Sequence, residues 1–181
     1  MPELLPESIR SAVAAAQNST EKLQEALHLT GQYLRADRCF LYVRDPAVGR
    51  GRIALCWRKA DSVPNPIHDW QDDTGDLPKE DPLFRAALAA KPSVFVDDVE
   101  TAGPDVLNRE FEHKTFGHRA LIHAHIVDER QQLWGILQPC LFGYPRHWTD
   151  AEKEAIEATL PLLLPVVQEY VAQVRSEIGE A

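Results

Sequence analysis

Apolar positions recur at helical spacing in the N-terminal part of the chain. A short apolar side over residues 8–17 predicts a first helix. Asn18 and Glu21 then have the spacing of a capping box, in which two side chains satisfy free backbone N–H groups at a helix start. The helix that follows is apolar along one side, at Leu23, Leu27 and Leu34.

A second capping box, Thr149 with Glu152, predicts the start of a long C-terminal helix. Pro161 and Pro165 fall inside this helix. Because proline removes a backbone donor and crowds the preceding turn, we expect the two prolines to bend or split the helix. Its apolar stripe consists of Ile156, Leu160, Leu164 and Val171.

Strand-forming runs replace the helical pattern in the middle of the chain. Residues 39–43 and 53–57 flank a glycine-containing turn and predict a hairpin, and residues 94–96 predict a further short strand. Between them, Asp81 precedes a proline and predicts a helix start. Gly103, also followed by proline, predicts the start of another short helix.

The clearest strand pattern lies at residues 119–127, where side chains alternate between two sides. Leu121, His123 and His125 point to one side, and smaller or branched apolar residues point to the other. A polar turn at 128–131 separates this strand from a second strand-forming run, so the two predict an antiparallel hairpin.

The predicted order is two helices, two strands, a helix, a strand, a helix, two strands and a final helix. Strands joined by short turns pair in antiparallel fashion. The helices must cover one face of the resulting sheet to bury their apolar sides. The predicted fold class is therefore α+β, an α/β sandwich built on a central antiparallel sheet.

Composition supports a folded, acidic protein. Apolar residues make up 44% of the 181 residues, enough to bury a full core. The formal net charge is -9, and the basic residues form no run. This charge pattern argues against binding to nucleic acid or to an anionic membrane surface.

The sequence favours a cytoplasmic location. Its three cysteines are odd in number and irregularly spaced, which fits reduced thiols better than a disulfide framework. The N-terminus lacks the apolar core of a signal peptide. The most apolar stretch, residues 160–174, is interrupted by two prolines and by Gln168 and Glu169, unlike a membrane span.

Three phrases, in their order and spacing, resemble a GAF domain: LRADRCFLYVRD, DPLFRAALAAKPSVFVDDVE and FGHRALIHAHIVDERQQLWGIL. The resemblance implies a GAF domain at residues 20–175, an N-terminal helical extension at 1–19 and a C-terminal tail at 176–181. It also implies that the terminal helices pack on one face of the sheet, while short helices and loops form a pocket on the other.

Within that family, LWGIL followed by PRHW is most similar to the GAF domains of phytochromes and cyanobacteriochromes. In those domains a cysteine with a neighbouring histidine attaches a bilin. The matching positions here are Asn108 and Arg109, and asparagine cannot form the thioether. A second pocket histidine of the family matches Cys140. The resemblance therefore predicts no covalent chromophore and no cofactor.

The same resemblance predicts a ligand pocket on one side of the last hairpin. The polar stretch 60–78 is long for a connection in a compact domain, and such loops are usually lids, binding loops or mobile inserts. The predicted pocket residues are Trp70 from this loop with Leu121, His123, His125, Trp134, Ile136, Gln138 and Cys140 from the hairpin.

Two histidines at positions i and i+2 with a nearby cysteine are residue types that bind zinc or iron. His123, His125 and Cys140 thus suggest a metal or redox sensor, although they supply only three ligands. In the simpler alternative, His123 is neutral and hydrogen-bonded, His125 reaches the rim, and Cys140 is a small buried hydrophobe.

We expect a GAF-type regulatory or signalling module that acts by dimerisation and protein interaction. An enzyme is not expected, because the sequence contains no nucleophile elbow and no phosphate-binding loop. The alternatives are a sensor that holds a small molecule, with a tetrapyrrole as one candidate, without a covalent bond, and the metal or redox sensor.

The expected partners are a second copy of the chain and a downstream signalling protein. The terminal helices supply more apolar surface than one sheet face needs, and such a surplus marks an interface. In the alternative, the sheet covers all of this surface. The predicted interface residues are Leu23, Leu27, Leu34, Ile156, Leu160, Leu164 and Val171.

Overall fold

A computed structural model describes residues 4–179. The N-terminal half contains α1 (Leu5–Ala15), α2 (Ser19–Leu34), β1 (Arg38–Asp45), β2 (Arg50–Arg58), β3 (Gln71–Asp72), α3 (Leu77–Glu80) and α4 (Pro82–Leu88). The C-terminal half contains β4 (Val94–Val96), α5 (Arg109–Thr115), β5 (Ala120–Val127), β6 (Leu133–Leu141) and α6 (Asp150–Ile178).

The six strands form one antiparallel sheet in the order β3-β2-β1-β6-β5-β4. The two predicted hairpins are β1–β2 and β5–β6, and their first and last strands meet at the centre of the sheet. The predicted α+β class is confirmed.

Helices α2 and α6 cover one face of this sheet, and α1 packs against both of them. Leu41 and Leu137 project from the central strands into this layer, and Ile122 and Ala124 project from β5. Leu5 and Ile9 of α1 are also buried here, so the first helix packs into the same core.

Three predicted helix starts, at Asn18, Asp81 and Thr149, agree with the structure. Two differ: α1 begins at Leu5, before the predicted residue 8, and the helix expected from Gly103 begins later. The side chain of Asn18 accepts a hydrogen bond from the backbone N–H of Glu21, and Thr149 forms a complete capping box with Glu152. The helix predicted from Gly103 begins later, at Arg109, because the side chain of Asn108 caps it there. The segment before it makes turns.

The two prolines do not split α6, which runs unbroken for 29 residues. Pro161 and Pro165 are four residues apart and both exposed. The carbonyl that each proline leaves without an N–H partner belongs to the residue four positions earlier, Glu157 or Pro161. Both of these residues are exposed, so water can satisfy the freed carbonyls.

The structure buries six of the seven predicted dimer-interface residues inside the monomer, so the predicted interface is wrong for those six. Six of the seven are at most 7% exposed, and the last, Leu164, is half-buried. The surplus apolar surface of α2 and α6 is taken up by the sheet and by α1. The residues concerned are Leu23, Leu27, Leu34, Ile156, Leu160, Leu164 and Val171.

Within the described range, α6 is long and apolar enough to cross a membrane when only length and composition are considered. Its apolar side is packed on the sheet and against α1 and α2. The core helix of a soluble protein has the same properties.

A glycine at the centre of the sheet provides a test of this packing. A Cβ atom on Gly135 would lie 2.9 Å from the backbone oxygen of Tyr42, which cannot move without disturbing the β1–β6 pairing. We expect Gly135→Ala to lower the free energy of unfolding by about 1–3 kcal/mol, as overpacking does.

Gly75→Ala is the matched control, because its Cβ would meet nothing within 4 Å. There we expect no loss and a gain of at most about 1 kcal/mol from the stiffer unfolded chain. Urea unfolding curves measure both changes. Equal stability of the two variants would contradict the close approach at Gly135.

Candidate functional site

A cavity of about 280 Å³ lies on the sheet face opposite the terminal helices. Its floor consists of side chains from β1, β2, β5 and β6, and its walls come from α3, α4, α5 and the loop after β2. The residues whose chemistry defines it are Tyr42, Asp81, Glu112, Phe116, His123 and Gln138.

Aromatic rings form much of the wall. Phe40 on β1 stacks on Phe116 with ring centroids 5.6 Å apart, and Phe111 meets Phe116 edge to face at 6.3 Å. Tyr42 meets Phe84 edge to face at 5.6 Å. These rings give the cavity flat apolar surfaces and negative π faces.

Asp73 closes one side of the cavity with a complete set of partners. Its carboxylate accepts a hydrogen bond from the Tyr42 hydroxyl at 2.7 Å and from Nε of Arg44 at 2.9 Å. Burial, together with the negative charge of Asp73, raises the pKa of Tyr42. Tyr42 therefore stays protonated and remains a donor to Asp73.

Two further carboxyl groups, Asp81 and Glu112, are buried in the wall at 6% and 1% exposure. Asp81 caps α4 by accepting from the backbone N–H of Leu83 at 3.0 Å. Burial raises its pKa to about 7, with a smaller contribution from Glu112. Burial likewise raises the pKa of Glu112 to about 8.

His118 is the one side chain that bonds Glu112 in the described structure. Its Nε2 lies 2.6 Å from Oε2 of Glu112, and both side chains are at most 1% exposed. Nδ1 of His118 is buried without a partner in the described residues, so the proton belongs on Nε2, which donates to Glu112. Oε1 of Glu112 has no hydrogen bond within residues 4–179.

A chain of hydrogen bonds sets the tautomer of His123. The carbonyl of Lys91 can only accept, so Nδ1 of His125, 2.7 Å away, donates to it. Burial lowers the pKa of both histidines, so both are neutral, and Nε2 of His125 must accept from Nδ1 of His123 at 2.8 Å. Nε2 of His123 is thereby left as an acceptor at the cavity wall.

Gln138 supplies the remaining buried polar group. Its residue is 4% exposed and lines the cavity, and within the described chain its amide makes no side-chain hydrogen bond. An amide presents both a donor and an acceptor. The Gln138 amide can therefore turn either its donor or its acceptor toward a ligand, whereas the His123 ring is held by its bond to His125.

The structure brings three of the eight predicted pocket residues to the cavity: His123, Ile136 and Gln138. Leu121 and Cys140 project from the same sheet face but pack under α4, in a separate cluster with Leu83. His125 lies behind His123 and supports it.

Two predicted pocket residues, Trp70 and Trp134, lie elsewhere. Trp134 is the extra residue of a bulge, since β5 pairs Ile126 with Gly135 and Val127 with Leu133. The bulge turns Trp134 toward the helical core, where it packs partly buried, and its Nε1 donates to Asp128. Trp70 also packs into the helical core, with Arg52 over its ring.

The predicted metal set is not assembled. His123 and His125 bond each other, and Cys140 packs among apolar residues. Within residues 4–179, no group of three or more histidine, cysteine or acidic side chains is placed to hold a metal ion. The alternation of β5 was predicted, but the side-chain bond between its two histidines leaves no shared metal position.

The cysteines are structural thiols. Cys39 faces the helical core and Cys140 faces the other side, so no disulfide joins these neighbouring strands. Burial raises the pKa of Cys39, and it raises the pKa of Cys56 to about 11. Both are protonated and weakly nucleophilic at neutral pH.

The positions that match the bilin attachment site have a structural role here. Asn108 caps α5 by accepting from the backbone N–H of Phe111, and its amide donates to the carbonyl of Glu80. Asn108 and Arg109 are exposed and line a surface groove apart from the cavity. They connect α5 to the end of α3.

The described lining of the cavity offers no site for covalent attachment of a bilin. The cavity volume of about 280 Å³ is below the range of about 300–1,000 Å³ typical of sites for drug-sized ligands. No lysine, arginine or cysteine occurs among the described residues that line it. A bilin would therefore find neither a thiol nor a cation for its propionates.

Sequence reasoning missed several wall residues, notably Tyr42, Asp73 and Glu112. Asp81 was recognised only as a helix cap. A signal for Glu112 was present, because it lies between Phe111 and Phe116 on a short amphipathic segment. Its burial, however, depends on how α5 docks on the sheet.

The chain belongs to the GAF domain family, whose model matches residues 18–162. GAF domains are regulatory or sensory modules. The predicted resemblance is confirmed, and no curated protein sequence matches the chain.

Solved structures share this fold at low sequence identity. The phycoerythrobilin-bound GAF domain of a cyanobacterial phytochrome is 15% identical, with a TM-score of 0.70 over 93% of this chain and 96% of that one. The GAF domain of an Acinetobacter phosphoenolpyruvate-protein phosphotransferase is 12% identical, with a TM-score of 0.69 over 95% of each chain. A photoproduct-state GAF domain from Synechocystis is 24% identical, with a TM-score of 0.64 over 90% and 100%.

The raised pKa of Glu112 predicts how the free energy of unfolding depends on pH. Between its ordinary pKa of 4.5 and about 8, the folded chain keeps a proton that the unfolded chain releases. The free energy of unfolding should fall by about 1.4 kcal/mol for each pH unit in this window, with the loss complete above it. Glu112→Gln, an uncharged isostere, should remove this part of the slope.

Urea unfolding between about pH 5 and pH 9 measures the effect. Glu110→Gln is the control, because Glu110 is an exposed neighbour on the same helix and should keep the wild-type slope. An unchanged slope in Glu112→Gln would show that Glu112 is ionised throughout.

Proposed function

We propose that this GAF domain is a sensory module that holds a small molecule in the cavity without a covalent bond. The single observation that carries this proposal is a cavity whose wall presents accessible polar atoms, on otherwise buried side chains, that have no partner among the described residues. Oε1 of Glu112, Nε2 of His123 and the amide of Gln138 are of this kind within the described chain. Because these atoms border the cavity, a ligand placed there can hydrogen-bond to them and be held in one orientation.

The sheet offers a route from the cavity to the terminal helices. Phe40 and Tyr42 face the cavity from β1, while Leu41 and Val43, which alternate with them, face α2 and α6. A ligand that displaces the first pair would move the second, because strand residues alternate on a shared backbone. The position of α6 would then report occupancy to a downstream signalling partner.

This role requires no catalytic step and is compatible with a cytoplasmic location. All three cysteines are free thiols, two of them fully buried, as in a reducing compartment. The acidic net charge of -9 favours solubility and not attachment to anionic membranes.

Indole, a small neutral aromatic with one N–H donor, is a suitable first probe of the cavity. Saturable shifts of the backbone NMR signals of His123, Ile136 and Gln138 are expected on titration. Thr115→Trp should abolish them, because Thr115 is an exposed residue on the cavity rim and an indole side chain there would fill the entrance.

Lys114→Trp is the matched control, since Lys114 is also exposed on α5 but does not line the cavity. It should bind indole like the wild type. The proposal fails if indole produces no saturable shift, or if both variants reduce binding equally.

Assembly into a homodimer is a second candidate function. The outward side of α6 carries Pro161, Pro165 and Ala172, which are exposed and weakly polar, and Leu164, partly packed on the core, lies at its edge. A second copy could cover this strip. The remaining large apolar side chains exposed in residues 4–179 are scattered, at Leu4, Tyr33, Ile67 and Tyr144.

If the dimer forms through α6, Ala172→Glu, at an exposed position of this strip, should convert it to a monomer, because it would bury an unpaired charge in the contact. Leu4→Glu, at a 64% exposed position, should leave the dimer intact. Sedimentation velocity distinguishes these states. A wild-type chain that sediments as a monomer at all concentrations would exclude the candidate.

A further inference from the structure

We propose that the cavity selects a small organic ammonium ion with an apolar or aromatic body. This inference rests on the proposed sensory function and names the chemical class of its ligand. It follows from the hydrogen-bonding direction of the wall, its charge, its rings and its size.

The polar atoms at the cavity wall that lack partners among the described residues mainly accept hydrogen bonds once Glu112 is ionised. Nε2 of His123 is an acceptor because its Nδ1 donates along the chain to His125 and the carbonyl of Lys91. Oε1 of Glu112 accepts when the carboxyl is ionised, and Gln138 can turn either its oxygen or its NH₂ toward a ligand. A ligand that satisfies this wall must therefore bring N–H or O–H donors.

The charge of the wall favours a cation over an anion. Asp72, Asp73, Asp81 and Glu112 line the cavity, and none of its described lining residues is lysine or arginine. Arg44 balances only Asp73, which it bonds at 2.9 Å. An anionic ligand would meet two buried carboxyl groups and no counter-charge. An ammonium ion would instead favour ionisation of these carboxyl groups and pair with them.

The aromatic rings point to the same class. Phe84, Phe111 and Phe116 line the cavity along with Glu112. An ammonium group near ring faces gains cation–π attraction, which strengthens when water is excluded. The rings would also pack on an apolar body.

The volume limits the ligand to a small molecule. The cavity volume of about 280 Å³ is just under the range of about 300–1,000 Å³ of sites for drug-sized ligands. A single aromatic ring with a short aminoalkyl chain is smaller than such ligands and suits a cavity of this size. 2-Phenylethylammonium is therefore a suitable probe.

The test compares three probes that share one skeleton: 2-phenylethylammonium, the neutral 2-phenylethanol and the anionic 3-phenylpropionate. Titration calorimetry at about pH 9, where Asp81 and Glu112 are ionised, gives the dissociation constants. We expect the ammonium ion to bind at least about tenfold more tightly than the alcohol, and the carboxylate not to bind.

A variant separates charge recognition from a structural effect. Glu112→Gln keeps the shape of the side chain and removes its charge, so it should weaken ammonium binding by about tenfold or more and weaken alcohol binding much less. Glu110→Gln, at an exposed position outside the cavity, should bind all three probes like the wild type.

The outcomes distinguish this inference from the function on which it rests. Equal binding of ammonium and alcohol, tighter binding of the carboxylate, or no binding of any of the three overturns the ammonium class. Indole binding that Thr115→Trp blocks would still support a sensory cavity in each of those cases. Absence of binding by indole and by all three probes removes the cavity function itself.

Discussion

The pairing of β1 with β6 at the centre of the sheet is the constraint on which both layers depend. Leu41 opposite Leu137 faces the helices, while Phe40 opposite Gln138 faces the cavity. Because strand side chains alternate, a slip of one residue would exchange the two sets and expose the core. The terminal helices thus stabilise the register that also shapes the cavity wall. A mutation that loosens the helical core would be expected to disturb the cavity as well.

Two kinds of contact stabilise buried charged side chains on the cavity side of the sheet. Arg44 and Asp73 form a bonded pair with Tyr42. Arg38, only 1% exposed, lies over the rings of Phe40 and Phe142 at 5.2 and 4.8 Å and donates one hydrogen bond, to a backbone carbonyl. Cation–π contact partly offsets the cost of burying a guanidinium group. These arginines are engaged at the borders of the cavity, which leaves its interior to carboxyl groups and imidazole.

Local rules predicted the elements and their order, because capping boxes, alternation and turns depend only on residues that are close together in the sequence. They also placed His123, Ile136 and Gln138 on one side of a hairpin. They failed for Trp134 because a bulge shifts the alternation, and a bulge is set by the pairing between two strands. They failed for Glu112 and Trp70 because burial there depends on how α5 and the long loop dock, which sequence spacing does not encode.

The bond from His125 to the carbonyl of Lys91 has a consequence for how selectivity can change. Every substitution at position 91 keeps the main-chain carbonyl. Changes of the side chain there should therefore leave His123 as an acceptor. His125, by contrast, takes part through its side chain, so a substitution there can break this chain of hydrogen bonds. Its replacement by a residue that cannot accept would release the His123 ring to carry its proton on either nitrogen. A position outside the cavity lining would then widen the range of accepted ligands, which gives evolution or protein engineering a remote route to a new specificity.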